Sequence, residues 1–380
     1  VLVVSEAVRD VAVEMLPSIG NCPVRLMFDG VAEGYENFES LVNQYPPEPL
    51  DDQPKGSLML YSSGTTGKPK GIKRALDGSK ITDPDLIGSG LVGGIFGIND
   101  QSVYLSPAPL YHSAPLGFTT GTQSVGGTAV ILEKFDPLEA LGAIEQYGVT
   151  HSQWVPTMFT RMLKLTEEER NRCDLSTHKL AIHAAAPCPV EVKKQMLEWW
   201  GPILHEYYAG TELNGFCYVG PEDWISHPGT VGKPLIGSLR ICDEDGVELP
   251  TGEAGLIYFE REEQTFEYHQ APDKTKSSQH PNNPLWTTLG DVGRVDDDGF
   301  LYLTDRKAFM IISGGVNIYP QEIEDCLILH PEVADVAVFG VPNEDFGEEV
   351  KAVVQPVEGV GADEQLAKRL SEYAKAHIAG

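Results

Sequence analysis

The run Gly127-Thr-Ala-Val-Ile-Leu132, then Pro137-Leu-Glu-Ala-Leu-Gly-Ala-Ile-Glu-Gln-Tyr147, then Val149-Thr-His-Ser-Gln-Trp-Val155 decides the class of fold. The outer pieces are short, apolar and rich in β-branched residues, as a strand covered on both faces must be. The middle piece opens on Pro137 and places Leu138, Leu141 and Ile144 on one helical face. The alternation continues with a helix opened by Pro156, a strand over 180–185, a helix over 190–200 and a strand over 203–208. Such a series builds a parallel sheet with crossover helices, and its functional loops gather at the carboxyl ends of the strands.

Beyond residue 230 the texture changes. Short strands over 237–242, 255–260 and 299–303 are separated by the turn dipeptides Asp245-Gly246 and Asp298-Gly299, the pattern of a β-rich subdomain. After Asp305-Arg306-Lys307, a helix over 320–329, strands over 333–341 and 351–357, and a helix from 362 onward make a compact α+β module. The expected fold class is therefore α/β. A large domain with doubly wound sheets spans 1–305, including a β-rich subdomain at about 230–305, and a small α+β domain spans 306–380. The start, Val1-Leu2-Val3-Val4-Ser5, reads as a buried strand entered mid-fold, so the large domain is expected to be incomplete at its N-terminus. No signal peptide is read there, and no run approaches the roughly 20 apolar residues that cross a bilayer.

The 380 residues carry 56 acidic and 28 basic side chains, a net charge of −28. That balance argues against nucleic acid or an anionic membrane as partner, because clustered Lys and Arg hold both. At 41% hydrophobic and 22% charged, the chain can bury a core in each of two or more domains. Its cysteines (Cys22, Cys173, Cys188, Cys217, Cys242 and Cys326) form no close pair of metal-ligand or redox type and read as reduced thiols of a cytoplasmic enzyme.

Residues 61–71 read Tyr-Ser-Ser-Gly-Thr-Thr-Gly-Lys-Pro-Lys-Gly, directly after the apolar Leu58-Met59-Leu60. The small residues Ser62, Ser63, Gly64, Thr65, Thr66 and Gly67 let backbone N–H groups close around a polyanion, and Lys68 and Lys70 add charge. This is no Walker loop, since Ser62 stands where the first glycine belongs and Pro69 follows Lys68. The bland alternative is a surface turn, although a solvated linker seldom interrupts a strand with so many residues of this kind.

Four segments in order resemble the adenylate-forming superfamily of acyl- and aryl-CoA synthetases, peptide-synthetase adenylation domains and luciferases. They are that loop, Tyr207-Tyr-Ala-Gly-Thr-Glu212, Thr288-Leu-Gly-Asp291, and Asp305-Arg306 with Ser313-Gly-Gly-Val-Asn317 and Pro320-Gln-Glu-Ile-Glu324. The resemblance implies an acyl-CoA synthetase: a hydrophobic carboxylic acid attacks the α-phosphorus of ATP, pyrophosphate leaves, and coenzyme A cleaves the acyl-adenylate. It implies that Ser62, Ser63, Thr65, Thr66 and Lys70 hold the departing phosphates, with Gly64, Gly67 and Lys68 in the same cradle. Thr211 would contact the α-phosphate and Glu212 would ligate Mg2+. Tyr208 would stack on adenine opposite the small-residue wall of Ala184, Ala185, Ala186 and Pro187, with Tyr207 as a further nucleotide-binding residue. Asp291 would take the ribose hydroxyls and Arg306 would add a ribose contact. A mobile small domain would bring the loop holding Gly314 and Gly315 to the pantetheine tunnel. His112, in Leu110-Tyr-His-Ser113, would line and gate the acyl pocket, with Trp154 as another wall. Blander readings stand beside three of these: a helix-start carboxylate for Glu212, a buried structural ring for Tyr208 and a satisfied core residue for His112. Asp291 lies in an apolar run and needs a partner on any reading.

Departures from the family pattern are Ala308 at its usual Lys or Asp pivot, Ala209 for a glycine, and an ending at Ala379-Gly380 without the family's C-terminal catalytic lysine. The small domain is thus also expected to be incomplete, and these 380 residues to adenylate poorly. Gly88-Ser-Gly-Leu-Val-Gly93 matches a dinucleotide fingerprint, but turn-like residues precede it and 101–132 contain no Asp or Glu, so the glycines read as a coincidence in a loop or helix start. Rival readings are an aryl- or sterol-acid CoA ligase, an adenylating enzyme that serves a carrier protein, and a nucleotide-binding regulator without catalysis. The oligomeric state stays open, a homodimer included. Lys68, Lys70, Lys73 and Arg74 crowd the phosphate loop, so the acidic exterior surrounds a locally positive site.

Overall fold

The computed structural model describes residues 1–62, 69–76, 78–84, 86–306, 309–313, 316–343 and 346–378; at Leu86, Ser89, Asp305, Arg306 and Asn317 the description covers the backbone. The chain divides into two units, residues 1–55 with 78–81 and residues 56–77 with 82–380. In the first, Leu2–Ser5 and Glu36–Asn37 flank Arg25–Phe28 as parallel neighbours. A small core of Ala12, Met27 and Tyr35 packs on one side, where Leu2 and Val4 join it. Val3 on the other side is exposed, so the opening strand is covered on one face and not on both as expected.

In the second unit, seven strands form the main sheet in the order Lys233–Ile236, Phe216–Val219, Leu204–Tyr208, Leu180–His183, His151–Trp154, Val103–Ser106, Thr128–Ile131. The last five are mutually parallel, and Phe216–Val219 runs antiparallel to both of its neighbours. Helices Pro137–Tyr147 and Val190–Trp200 fall where the apolar periodicity places them. Asp136 caps the first by accepting from the Leu138 and Glu139 N–H groups, and Gly148 ends it at φ 61°. One face of the sheet buries Leu141, Ile144, Trp154, Phe159, Met196 and Leu204. The other buries Leu91, Phe96, Tyr104, Phe118, Tyr207 and Phe216. Each of these large side chains contributes about 1.5–3 kcal/mol by leaving water, which is why these strands are apolar on both faces.

The fingerprint glycines lie inside a helix, Leu86–Ile95, which packs on the helix Ser113–Ser124. A Cβ on Gly121 would stand 2.7 Å from Val92 Cγ2 and 3.5 Å from Gly88 Cα, so glycine serves helix contact at this crossing.

The β-rich part is a sheet in which Gln279–His280, Asn283–Thr287, Gly255–Glu260, Asp291–Val295 and Leu301–Arg306 follow one another, with Ser238–Cys242 also paired to Gly255–Glu260. The strand expected over 299–303 starts at Leu301 because Gly299 turns the chain at φ 84°. A separate three-stranded sheet joins Leu60–Ser62, Lys70–Lys73 and the distant Glu267–Tyr268 over a core of Ile72, Phe266 and Tyr268. In the small C-terminal domain, Val316–Ile318, Ile311–Ser313, Gly347–Pro356 and Val333–Asn343 form a sheet, and helices Pro320–Leu327 and Glu364–His377 supply the core with Val333. Its long hairpin extends past the expected strands because Val341 and Pro342 pair with Glu349 and Glu348, residues whose charge disguises a strand.

Candidate active site

The strand Leu204–Tyr208 carries the chain to the carboxyl edge of the parallel sheet. Successive residues point to opposite faces, and this separates two neighbours that the motif treats together. Tyr207 belongs to the core: its ring stacks on Phe216 with centroids 5.0 Å apart, and its hydroxyl accepts from Gln153 Nε2 at 3.0 Å. It is therefore a packing residue and not a nucleotide contact, a correction that strand alternation explains. Tyr208 faces the other way and donates from Oη to Asp291 Oδ2 at 2.6 Å. Two residues upstream, Glu206 is buried against Lys193 Nζ at 2.6 Å, with His183 Nε2 at 3.4 Å.

Asp291 is itself buried, and its backbone pairs in register with that of Arg306 on the adjacent strand. Beyond the strand Leu180–His183, the expected wall turns at Ala185, whose φ of 80° lies in the left-handed region. A non-glycine residue held there costs on the order of 1–3 kcal/mol, strain of a kind that clusters at binding sites. Ala185 and Ala186 are exposed, as a wall must be.

A second cluster forms three residues beyond Tyr208. Glu212 is 8% exposed and its Oε1 accepts from Tyr268 Oη at 2.8 Å. Arg74 Nη2 donates to the Thr211 carbonyl at 2.8 Å. Burial pulls the Arg74 guanidinium below its ordinary value, and the Glu212 charge opposes that shift. Lys70 Nζ stands 4.9 Å over the Tyr268 ring. Burial first, and then the Glu212 charge, push the Tyr268 phenol above its usual range, so it keeps its proton and donates. At Gly210 a Cβ would stand 2.1 Å from Leu289 Cδ1 and 2.9 Å from Glu212 Oε2, so a side chain here would displace both.

Lys70 pairs across the strands with Ser62, which places both at the ends of the phosphate segment. Ser63, Gly64, Thr65, Thr66, Gly67 and Lys68 lie outside the described residues, as do Gly314, Gly315 and Ala308. Lys73 is bound on the exposed side to Glu267 at 2.9 Å. A narrow cleft of about 20 Å³ lies alongside, lined by Leu58, Leu60, Ile72, Arg74, Ile87, Ser113, Gly117 and Thr211. That volume holds about one water. His112 is exposed at the start of the adjoining helix with its ring 4.4 Å from Tyr111, so it is not a core residue. Trp154, expected as a pocket wall, is 1% exposed among Phe135, Phe159 and Trp200, and its Nε1 donates to Ser152 Oγ. It faces the helices that cover the sheet, which corrects the expectation.

Among the described residues, no three His, Cys, Asp or Glu side chains group to hold a metal. Glu212 offers one hard carboxylate, with a neutral phenol on one oxygen. This donor set suits magnesium, which takes one or two carboxylates and completes its shell with water and substrate phosphates. Arg74 and Tyr268 carried no motif of their own. The clue to Tyr268 was an aromatic and β-rich stretch, Phe266-Glu-Tyr268, able to add a strand to a distant edge.

A carboxylate, two cations and a tyrosine–aspartate pair at the carboxyl edge of a parallel sheet define a nucleotide-binding type of α/β site. The chain belongs to the AMP-binding enzyme family, whose model matches residues 2–269, while the model of the AMP-binding enzyme C-terminal domain matches residues 322–380. It is 31% identical over 330 residues to a 2-succinylbenzoate–CoA ligase of Bacillus licheniformis, covering 87% of this chain and 64% of that enzyme. It is likewise 31% identical over 342 residues to the medium/long-chain-fatty-acid–CoA ligase FadD8 of Mycobacterium tuberculosis, covering 88% of this chain and 58% of that one. The chain thus spans about six tenths of the length of these curated relatives. Among solved structures, the amide bond synthetase McbA of Marinactinospora thermotolerans matches with TM-score 0.79 and 26% identity, over 100% of this chain and 73% of that one. The o-succinylbenzoate CoA synthetase of Bacillus subtilis with its acyl-adenylate matches with TM-score 0.75 and 25% identity, over 94% of this chain and 72% of that one. No helix among the described residues is long and apolar enough to cross a membrane.

Proposed function

We propose that this protein acts as an ATP-dependent acid–thiol ligase, an AMP-forming acyl-CoA synthetase for a carboxylic acid with an apolar body. The observation that carries this reading is the convergence of Lys70, Arg74, Thr211, Glu212 and Tyr268 at one point, beside the Tyr208–Asp291 pair. In the first step a carboxylate oxygen bonds to the α-phosphorus of ATP as the bond to pyrophosphate breaks. In the second, the sulfur of coenzyme A attacks the acyl carbon and AMP leaves.

The first step gathers negative charge around phosphorus, so the protein's task is positioning and placing cations where charge develops. Lys70, with the hydroxyls of Ser62, Ser63, Thr65 and Thr66, would hold the β- and γ-phosphates, and the Thr211 hydroxyl would hold the α-phosphate. Glu212 would hold magnesium, which supplies charge to the phosphate oxygens. Tyr208 would meet the adenine, with the 184–187 wall opposite, while Asp291 accepts from the ribose hydroxyls and Arg306 assists. The acid would lie near the helix Ser113–Ser124, with exposed His112 at its start lining and gating the acyl pocket. We assign 1–305 to the large domain and 306–380 to the small one, whose loop at 314–315 would meet coenzyme A. The six cysteines are all free, which supports a reducing, cytoplasmic setting.

Pyrophosphate release on mixing the full-length protein with ATP, magnesium and a panel of fatty, aryl and sterol-like acids tests the reading. Release that depends on one class of acid is the expected result. ATP binding without release for any acid would favour a regulator instead.

A further inference from the structure

We propose that Tyr268 is a positioning residue for Glu212, its phenol holding the carboxylate in the orientation from which it ligates the magnesium of the incoming nucleotide. This rests on the reading of Glu212 as that ligand.

The hydrogen bond from Tyr268 Oη to Glu212 Oε1, 2.8 Å long, joins two side chains that are 6% and 8% exposed. A buried carboxylate needs a partner, and the choice of partner sets what the carboxylate can do next. An ammonium would bring a counter-charge, whereas a phenol fixes the carboxylate's orientation without one, as a partner of a metal ligand should.

The strand that carries the ring is fixed by its neighbours. Tyr268 pairs in register with Ile72 on the strand that carries Lys70, and its own N–H donates to Thr275 Oγ1 at 2.9 Å. On the exposed side of the same pairing, Lys73 and Glu267 lie 2.9 Å apart. Lys70 Nζ sits over the ring face at 4.9 Å, within cation–π range. One tyrosine thus spans the expected phosphate-binding lysine and the expected metal ligand, contributed by segments about 140 residues apart.

Titration calorimetry with MgATP, and with ATP in the presence of a chelator, separates this role from general packing. Wild type, Tyr268→Phe, Glu212→Gln and the double variant are compared, with a thermal melt of each. Tyr268→Phe keeps the ring beneath Lys70 and the packing against Ile72 and Phe266. It is expected to weaken MgATP binding about tenfold, the low end of the cost of losing a metal ligand's outer partner. Metal-free ATP should bind it as it binds wild type, and in the Glu212→Gln background the substitution should change neither affinity. Equal loss for MgATP and metal-free ATP, or loss that persists in the Glu212→Gln background, would overturn the proposal. So would a silent Tyr268→Phe beside a Glu212→Gln that weakens MgATP, and that result would leave the reading of Glu212 standing. If Glu212→Gln is silent as well, the metal-ligand reading fails and the proposal falls with it. Should the melt show that Tyr268→Phe loses its fold, Tyr268→His, which returns a ring N–H donor, is expected to recover selectivity for MgATP over free ATP; equal affinity for the two in that variant would count against the role.

Discussion

Glu206 and Glu212 are both buried, lie six residues apart, and have been given opposite partners. Glu206 meets the ammonium of Lys193 at 2.6 Å in a pocket closed by His183 and by the Trp224 ring, 4.6 Å from Lys193 Nζ. Glu212 meets the neutral phenol of Tyr268, with cationic Arg74 bound to the neighbouring carbonyl. The first carboxylate faces a cation inside the fold, and the second faces a neutral donor at the edge of the sheet. Burial alone therefore does not distinguish the two carboxylates; the charge of the partner does.

Breaking the first pair should produce the largest effect in the molecule. Lys193→Met leaves Glu206 buried without a counter-charge, which typically costs about 3–5 kcal/mol, and adding Glu206→Leu should restore most of that loss. Denaturant unfolding of the two variants measures it, and a Lys193→Met protein as stable as wild type would sink the argument. Glu212→Gln should do the reverse. Its folding free energy should stay close to wild type while magnesium-dependent pyrophosphate release falls by on the order of 100-fold, the weight of a metal's charge on the departing phosphates. Matching losses of stability in Lys193→Met and Glu212→Gln would erase the distinction between the two carboxylates.

The same comparison shows how much was legible in the sequence. The alternation that begins at Gly127 was readable because a strand and a helix impose different periods on apolar residues, and both helix ends at Pro137 and Gly148 carry their own punctuation. The pairing of Glu212 with Tyr268 was not readable. It depends on Glu267–Tyr268 adding to Lys70–Lys73, a pairing across nearly 200 residues that no local pattern encodes. Tyr207 and Trp154 failed for a third reason: a motif or an aromatic beside a candidate pocket says nothing about which face of a strand its side chain takes, and one residue of shift reverses it.

A smaller effect follows from the imidazoles buried along the main sheet, one of which, His183, faces the first carboxylate. Burial chiefly holds the His178 imidazole down to about 3 and His205 down to about 4, and it holds His183 well below its ordinary value with help from Lys193. An unfolded chain takes up these protons near pH 6.5, whereas the folded chain refuses them until the pH reaches the lowered values. Over that window the unfolded state binds more protons, so stability is intact above pH 6.5 and is lost as pH falls. The fully buried His178 and His183 each contribute a slope of up to about 1.4 kcal/mol per pH unit. Unfolding measured from pH 7 to pH 4.5 should show the decline, and His178→Gln should make it shallower. A slope unchanged by that substitution would mean the imidazole is already protonated in the fold.

The smallest effects should come from the two adjacent tyrosines, and they sharpen the contrast most. Tyr207→Phe removes the hydroxyl that accepts from Gln153 and leaves a buried amide short of a partner, a loss of about 1–2 kcal/mol of folding free energy. Tyr208→Phe removes the hydroxyl that donates to Asp291 on the rim of the site, where ATP affinity should fall about fivefold, the worth of one hydrogen bond of about 1 kcal/mol. Each substitution deletes one oxygen from one tyrosine of the same strand, so propensity and strand pairing stay constant and only the face differs. Paired unfolding and ATP titrations should move one quantity each, stability for Tyr207 and affinity for Tyr208. If both substitutions lower affinity alike, the core and the nucleotide site share one network through this strand, and the face of the sheet does not divide structure from function here.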